Sequence, residues 1–200
     1  MRSAYIKVFS GEVASLVENP SANADAELYL SAPTTEYVTS SNVSNYKIIV
    51  DGNNYAKSGI LITKLRFVND PNEDTIISNA RMYISGTVAK GAAVVVTTAS
   101  SIDESLNRDS ELSLSGAKYY ADATDITLTT YYDNASAQLI NPTDAGTYLS
   151  LGNPTLSGLD YLTDYILFQL RINETDSKIT TTTLLQNVTI TFLYDEETAS

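Results

Sequence analysis

The chain has 200 residues, of which 24 are acidic and 12 basic, so its formal net charge is −12. It has no cysteine and no histidine, which excludes disulfides, zinc sites built on those residues and histidine-dependent nucleophiles. Lysine and arginine are scattered singly, so the acidic surface would repel nucleic acid and anionic membranes, and neither is expected as a partner.

No segment has the features of a membrane anchor or of a cleaved leader. No apolar run approaches the roughly 20 residues of a membrane-spanning helix. The N-terminal residues include Arg2 and Lys7 but no continuous apolar stretch. We therefore expect a protein that is made in a cytoplasm and is not a secreted precursor.

Residues 1–44 are predicted to form a short strand followed by an extended arm. Ala4–Phe9 has the pattern of a strand, and Gly11 breaks it. The composition then shifts to Ala, Ser, Asn and Thr, and only Ala26–Leu30 and Glu36–Thr39 keep some strand character. This composition does not build a core of its own. The arm therefore either packs over the sandwich or over a neighbouring copy, or it is a flexible N-terminal segment.

Residues 45–195 are predicted to form an all-β domain, an antiparallel β-sandwich of Ig-like or jelly-roll-like type, with a solvated acidic tail at residues 196–200. The sandwich is organised around Leu61–Ser85, whose period-two pattern indicates two strands joined by a polar turn. Strands of this kind need a second apolar layer. The expected partners are the C-terminal runs Tyr165–Asn173 and Asn187–Tyr194.

The remaining segments continue the β pattern. Tyr46–Val50 is predicted to be a strand, and Ala92–Thr98 is a continuous apolar run typical of a strand buried on both faces. Ser100–Arg108 has the serine cap and acidic residues of a short helical start. Lys118–Ala121 and Ile126–Tyr132 are predicted strands, each with two adjacent tyrosines.

Those tyrosine pairs are the first candidate binding site. The chain has 14 tyrosines and no tryptophan. On half-exposed strands, tyrosine buries its ring and keeps its hydroxyl in water, so the pairs could simply cover the sheet. The alternative is a sugar-stacking platform made of Tyr119, Tyr120, Tyr131 and Tyr132.

A second candidate is a calcium loop. Asp70, Asn72 and Asp74 place oxygen side chains at alternate positions, as the start of a calcium-binding loop does. The later positions do not match a calcium-binding loop. Thr75 occupies the position of the glycine at the sharp turn, and Arg81 occupies the position of the bidentate glutamate. A loop rich in turn-forming residues explains the same sequence without a metal.

Catalysis and cofactor binding are not predicted. No glycine-rich phosphate loop is present, since the nine glycines occur singly. Paired carboxylates remain as the chemistry of glycoside hydrolysis, but the acidic residues fall in turns and at the C-terminus, where burial and pKa shifts are expected to be small. We therefore expect a protein without enzymatic activity and without a cofactor.

Several short stretches, in order, resemble segments of small structural proteins from the particles of tailed bacteriophages. The opening IKVFSGEVASLVENPSANADAELYLSAP is similar to their N-terminal segment. Further matches to the same pattern are ISNARMYIS at Ile77–Ser85, Gly91–Asp103, YLSLG at Tyr148–Gly152, Tyr161–Asn173 and Asn187–Asp195. The stretch between Ser105 and Tyr148 departs from the pattern.

The resemblance implies a β-sandwich without catalysis that is present in many copies on a phage particle, as a decoration or cement protein on the capsid exterior. Its implied partners are the major capsid protein and further copies of itself, with a trimer as one arrangement that suits a capsid lattice. Its implied location is the virion, after synthesis in the host cytoplasm. A receptor- or glycan-binding module of a tail fibre or cell surface, using the tyrosine pairs, is the alternative.

Overall fold

The computed structural model describes residues 4–19, 22–23, 27–49, 55–68, 75–113, 116–121, 137–138, 148–157, 160–173 and 185–198. The chain is all-β, and two sheets pack face to face as a sandwich. The large sheet contains β1 (Ala4–Ser10), β2 (Val17–Glu18), β3 (Ala22–Asn23), β4 (Tyr55–Lys57), β5 (Leu61–Val68), β7 (Ala92–Ala99), β8 (Lys118–Ala121), β9 (Ala137–Gln138), β11 (Thr155–Ser157), β12 (Asp160–Leu162) and β13 (Tyr165–Asn173). The small sheet contains β6 (Thr75–Val88), β10 (Leu149–Gly152) and β14 (Leu185–Thr198).

Antiparallel pairing dominates both sheets. In the large sheet, β5 lies between β1 on one side and β12 and β13 on the other, and β13 continues to β7 and β8. The short β9 pairs with β8 in parallel. In the small sheet, β6 lies in the centre, with β10 on one side and β14 on the other. The sandwich prediction is confirmed.

The main core lies between the two sheets. Large side chains that are fully buried there include Phe67, Met82, Ile84, Ile166 and Phe168. They come from alternate positions of β5, β6 and β13, as period-two strands require. This layer is the main source of stability, because each buried aliphatic or aromatic side chain contributes about 1.5–3 kcal/mol relative to exposure.

A second core covers the other face of the large sheet. Ala93 and Val95 of β7 point into it, whereas Val94 and Val96 point into the main core. The prediction that this run is buried on both faces is therefore confirmed. The outer core is covered by non-strand residues, among them Val13, Leu16, Ile102, Leu106 and Leu112.

The turn signal between β5 and β6 suggested a hairpin, but these two strands do not form one. They lie in different sheets, so the chain crosses from one layer of the sandwich to the other between them. The reason is that both edges of β5 are already paired, with β1 on one side and with β12 and β13 on the other. The predicted C-terminal partners are strands, but β13 joins β5 within the large sheet and β14 joins β6 within the small one.

Three further local predictions are corrected. No strand forms at residues 27–49, so the strand predicted at Tyr46–Val50 is absent from its described part and Ile49 is exposed. Ser100–Arg108 forms turns and not a helix. Glu196 and Glu197, predicted to lie in a solvated tail, are paired with β6 as part of β14, although their side chains are exposed. Ladder hydrogen bonds come from the backbone, so an acidic sequence can still form a strand.

The arm at residues 27–49 lies against the sandwich and is fixed to it by backbone contacts. The amide of Gly59 donates to the carbonyl of Ser31 at 2.9 Å, and the amide of Gly11 donates to that of Thr35 at 2.6 Å. A Cβ atom at Gly59 would lie 2.7 Å from the Cα of Pro33, so the arm passes very close to the chain at that point. The preceding β1 is an integral strand of the large sheet.

Candidate functional site

Strand β14 and the apolar groove beside it form a candidate binding surface. The groove has a volume of about 990 Å³. We call it the β14 groove; its lining includes Ala4, Ile6, Leu61, Leu65, Leu28, Leu30, Val188, Ile190 and Phe192. Its position follows from the unequal width of the sheets: the large sheet extends past β5 to β1, β2 and β3, whereas among the described strands none pairs with β14 except β6.

The inner side chains of β14 are partly exposed. Val188, Ile190, Phe192 and Tyr194 pack against the main core, yet each keeps part of its surface exposed. The ring of Tyr194 meets the ring of Phe67 edge-on, with 4.7 Å between their centroids. An additional strand beside β14 would complete the burial of these side chains, in the mode by which an extended chain adds to an exposed sheet edge.

The central run of β14 has none of the devices that usually protect a sheet edge. Thr189–Leu193 pairs regularly with β6 and contains no charged residue and no proline. Irregular pairing occurs only on either side of this run, between Gln186 and Thr189 and between Leu193 and Asp195. The other outermost described strands, β2, β3, β4, β9, β10 and β11, have only two to four residues each.

A glycine makes the first of these irregularities possible. Gly86 of β6 has a φ of +112°, and Asn187 opposite it has a φ of +51°. A Cβ atom at Gly86 would lie 2.3 Å from the carbonyl oxygen of Asn187. Only glycine fits there, so the start of the regular run in β14 depends on Gly86.

A polar cluster marks the second irregularity. The Asn79 side chain donates to Asp195 Oδ2 at 2.7 Å, and Arg81 Nη1 lies 3.4 Å from Asp195 Oδ1. The hydrogen bond from Asn79 lowers the pKa of Asp195, and Arg81 lowers it further. The backbone amide of Asn79, which has a φ of +48°, donates to Asn153 Oδ1 at 2.8 Å. These bonds tie the three strands of the small sheet together at one end.

Arg108 is a buried cation whose hydrogen-bond partners are backbone carbonyl groups. Its guanidinium donates to the carbonyls of Phe9 at 2.8 Å, Gly11 at 3.0 Å and Ile60 at 3.2 Å. Burial lowers the pKa of Arg108. Carbonyl oxygens are neutral acceptors that the side chain holds in place, so this arrangement fastens the loop around residue 108 to the end of β1 and to Ile60.

A second buried polar group supports the same loop. Gln169 of β13 is fully buried, and its amide donates to the carbonyls of Ser58 at 3.0 Å and Ser110 at 2.9 Å. Its side-chain oxygen accepts from the amide of Leu112 at 2.9 Å. Arg171, two residues further along the strand, donates to the carbonyl of Leu112. Both polar side-chain atoms of Gln169 thus hold residues 110–112, which cover the outer core.

Neither buried polar group was identified from the sequence as functional or structural. The signal available for Gln169 and Arg171 was their position in YILFQLRIN, where two polar residues at alternate positions interrupt an otherwise apolar strand. Nothing around Arg108 in the sequence distinguishes it from a solvent-exposed arginine. The β14 groove had no sequence signal either, because it depends on the relative width of the two sheets.

The tyrosine pair of β8 does not form one platform. Tyr119 packs against the outer core and Tyr120 against the main core, so the two rings lie on opposite faces of the large sheet. The Tyr120 hydroxyl donates to the carbonyl of Gly86 at 2.7 Å, and burial raises the pKa of Tyr120. Tyr131 and Tyr132 lie outside the described residues, and glycan binding by any of the four stays a prediction.

The calcium candidates Asp70, Asn72 and Asp74 also lie outside the described residues. Within the described ranges, no group of three or more acidic, histidine or cysteine residues is arranged to hold a metal ion. In the same part of the chain, no helix has the length and apolar character needed to cross a membrane.

Comparisons of the chain with protein-family models, with curated proteins and with solved structures found no match.

Proposed function

We propose that this chain is a structural protein of a tailed-phage particle, which decorates the head exterior and binds the major capsid protein without catalysing a reaction. The proposal is supported by the resemblance of its sequence segments to such proteins and by its β-sandwich fold. The observation that carries it further is the arm at residues 27–49, which lies outside both sheets as irregular chain with a short 3-10 helix at Val43–Asn45.

The arm has the properties of a contact segment. Main-chain hydrogen bonds hold it at Ser31 and Thr35 to the body of the protein, so it is positioned before binding. Beyond these points it leaves Ile49 82 % exposed. Fixing a contact segment in advance reduces the entropy that is lost when a partner binds it.

The charge of the chain indicates the nature of the partner surface. At a net charge of −12, the protein is attracted to a basic surface and repelled by an acidic one. A capsid face with exposed lysine and arginine would therefore speed association, and added salt would slow it.

The first test is the number of copies of this chain in purified particles, measured by quantitative mass spectrometry against the major capsid protein. A simple ratio, such as one copy per capsid subunit or one per three, would support decoration of the lattice. A handful of copies per particle would contradict it and direct attention to a tail or vertex, and absence from the particle would refute a virion role.

A second test locates the contact. Ile49→Asp adds a charge to the exposed end of the arm and is expected to weaken binding to empty capsids. Leu156→Asp is the matched control, because Leu156 is also apolar and exposed, at 57 %, but lies in β11, outside residues 1–49. Equal loss of binding in both variants, or in neither, would contradict a role for the arm.

A further inference from the structure

We draw no further inference here: the strongest candidate, the apolar β14 groove lined by β1, β5 and β14, carries none because nothing in the structure shows what covers it.

Discussion

Replacement of Gly86 by alanine should destabilise the sandwich strongly, because two separate effects act at this position. The backbone has a φ of +112°, which side chains rarely adopt, and such strain costs about 1–3 kcal/mol. The new Cβ would also lie 2.3 Å from the carbonyl oxygen of Asn187 and 2.8 Å from the Cα of Val188. Both are backbone atoms of β14, so relief requires a strand to shift, which adds about 1–3 kcal/mol.

The expected total is about 4 kcal/mol, the sum of the middle values of these two costs. For a chain of this size, a loss of that magnitude lowers the melting temperature by about 8–16 °C. The measurement is thermal unfolding followed by circular dichroism, together with urea unfolding to obtain the free energy directly.

Gly152→Ala is the control that separates the two effects. Gly152 also has a positive φ, +72°, but a Cβ atom there would meet nothing within 4 Å. Its replacement should therefore cost only the backbone term, about 1–2 kcal/mol. If Gly86→Ala were no more destabilising than Gly152→Ala, the close approach of β6 to Asn187 would add nothing to the cost of the substitution and this reasoning would be refuted.

Three other predictions concern the polar groups. Arg108→Met should cost about 2–4 kcal/mol in urea unfolding, because it leaves buried carbonyl groups without a donor; a loss below that of an exposed arginine variant would contradict the assignment. Gln169→Leu should cost a similar amount and accelerate hydrogen exchange at the Leu112 amide, which loses its acceptor; unchanged exchange there would count against it. Asn79→Gly keeps the positive φ but removes the hydrogen bond, so the pKa of Asp195 should rise toward its ordinary value in a carboxyl NMR titration. The pKa of Asp195 is lower in the folded state than in the unfolded state. The contribution of Asp195 to stability is therefore present above the unfolded-state pKa and is lost as the pH falls through the folded-state pKa. Asn79→Gly should weaken this dependence of stability on acid pH.

Part of this fold was accessible from local sequence pattern, since alternation of apolar residues depends only on neighbours along the chain. The strands Leu61–Val68, Ala92–Ala99 and Tyr165–Asn173 lie where the pattern predicted them. The prediction that the alanine and valine run is buried on both faces also held, because a strand without polar alternation has no face suited to water. The acidic character and the lack of thiol and imidazole chemistry follow from composition alone.

The pairing of the strands could not be predicted from the local pattern, because it depends on which strand edges remain free once the chain has folded. The turn signal after Val68 suggested a hairpin, but β5 is paired on both sides, so β6 belongs to the other sheet. The acidic residues of β14 join a ladder because β6 offers a long backbone edge, and not because of their side chains. Likewise, Tyr46–Val50 has the composition of a strand, yet its described part forms none.

The sequence by itself determined the fold class, the strands of the core and the acidic charge, because these depend on composition and on contacts between near neighbours. Only the tertiary structure decided which strands share a sheet, that Tyr119 and Tyr120 face different cores, and that Arg108 and Gln169 are buried supports of one loop. It also decided that β14 borders an apolar groove. These features arise between residues far apart in the chain, where burial and free edges depend on the packing of the whole sandwich.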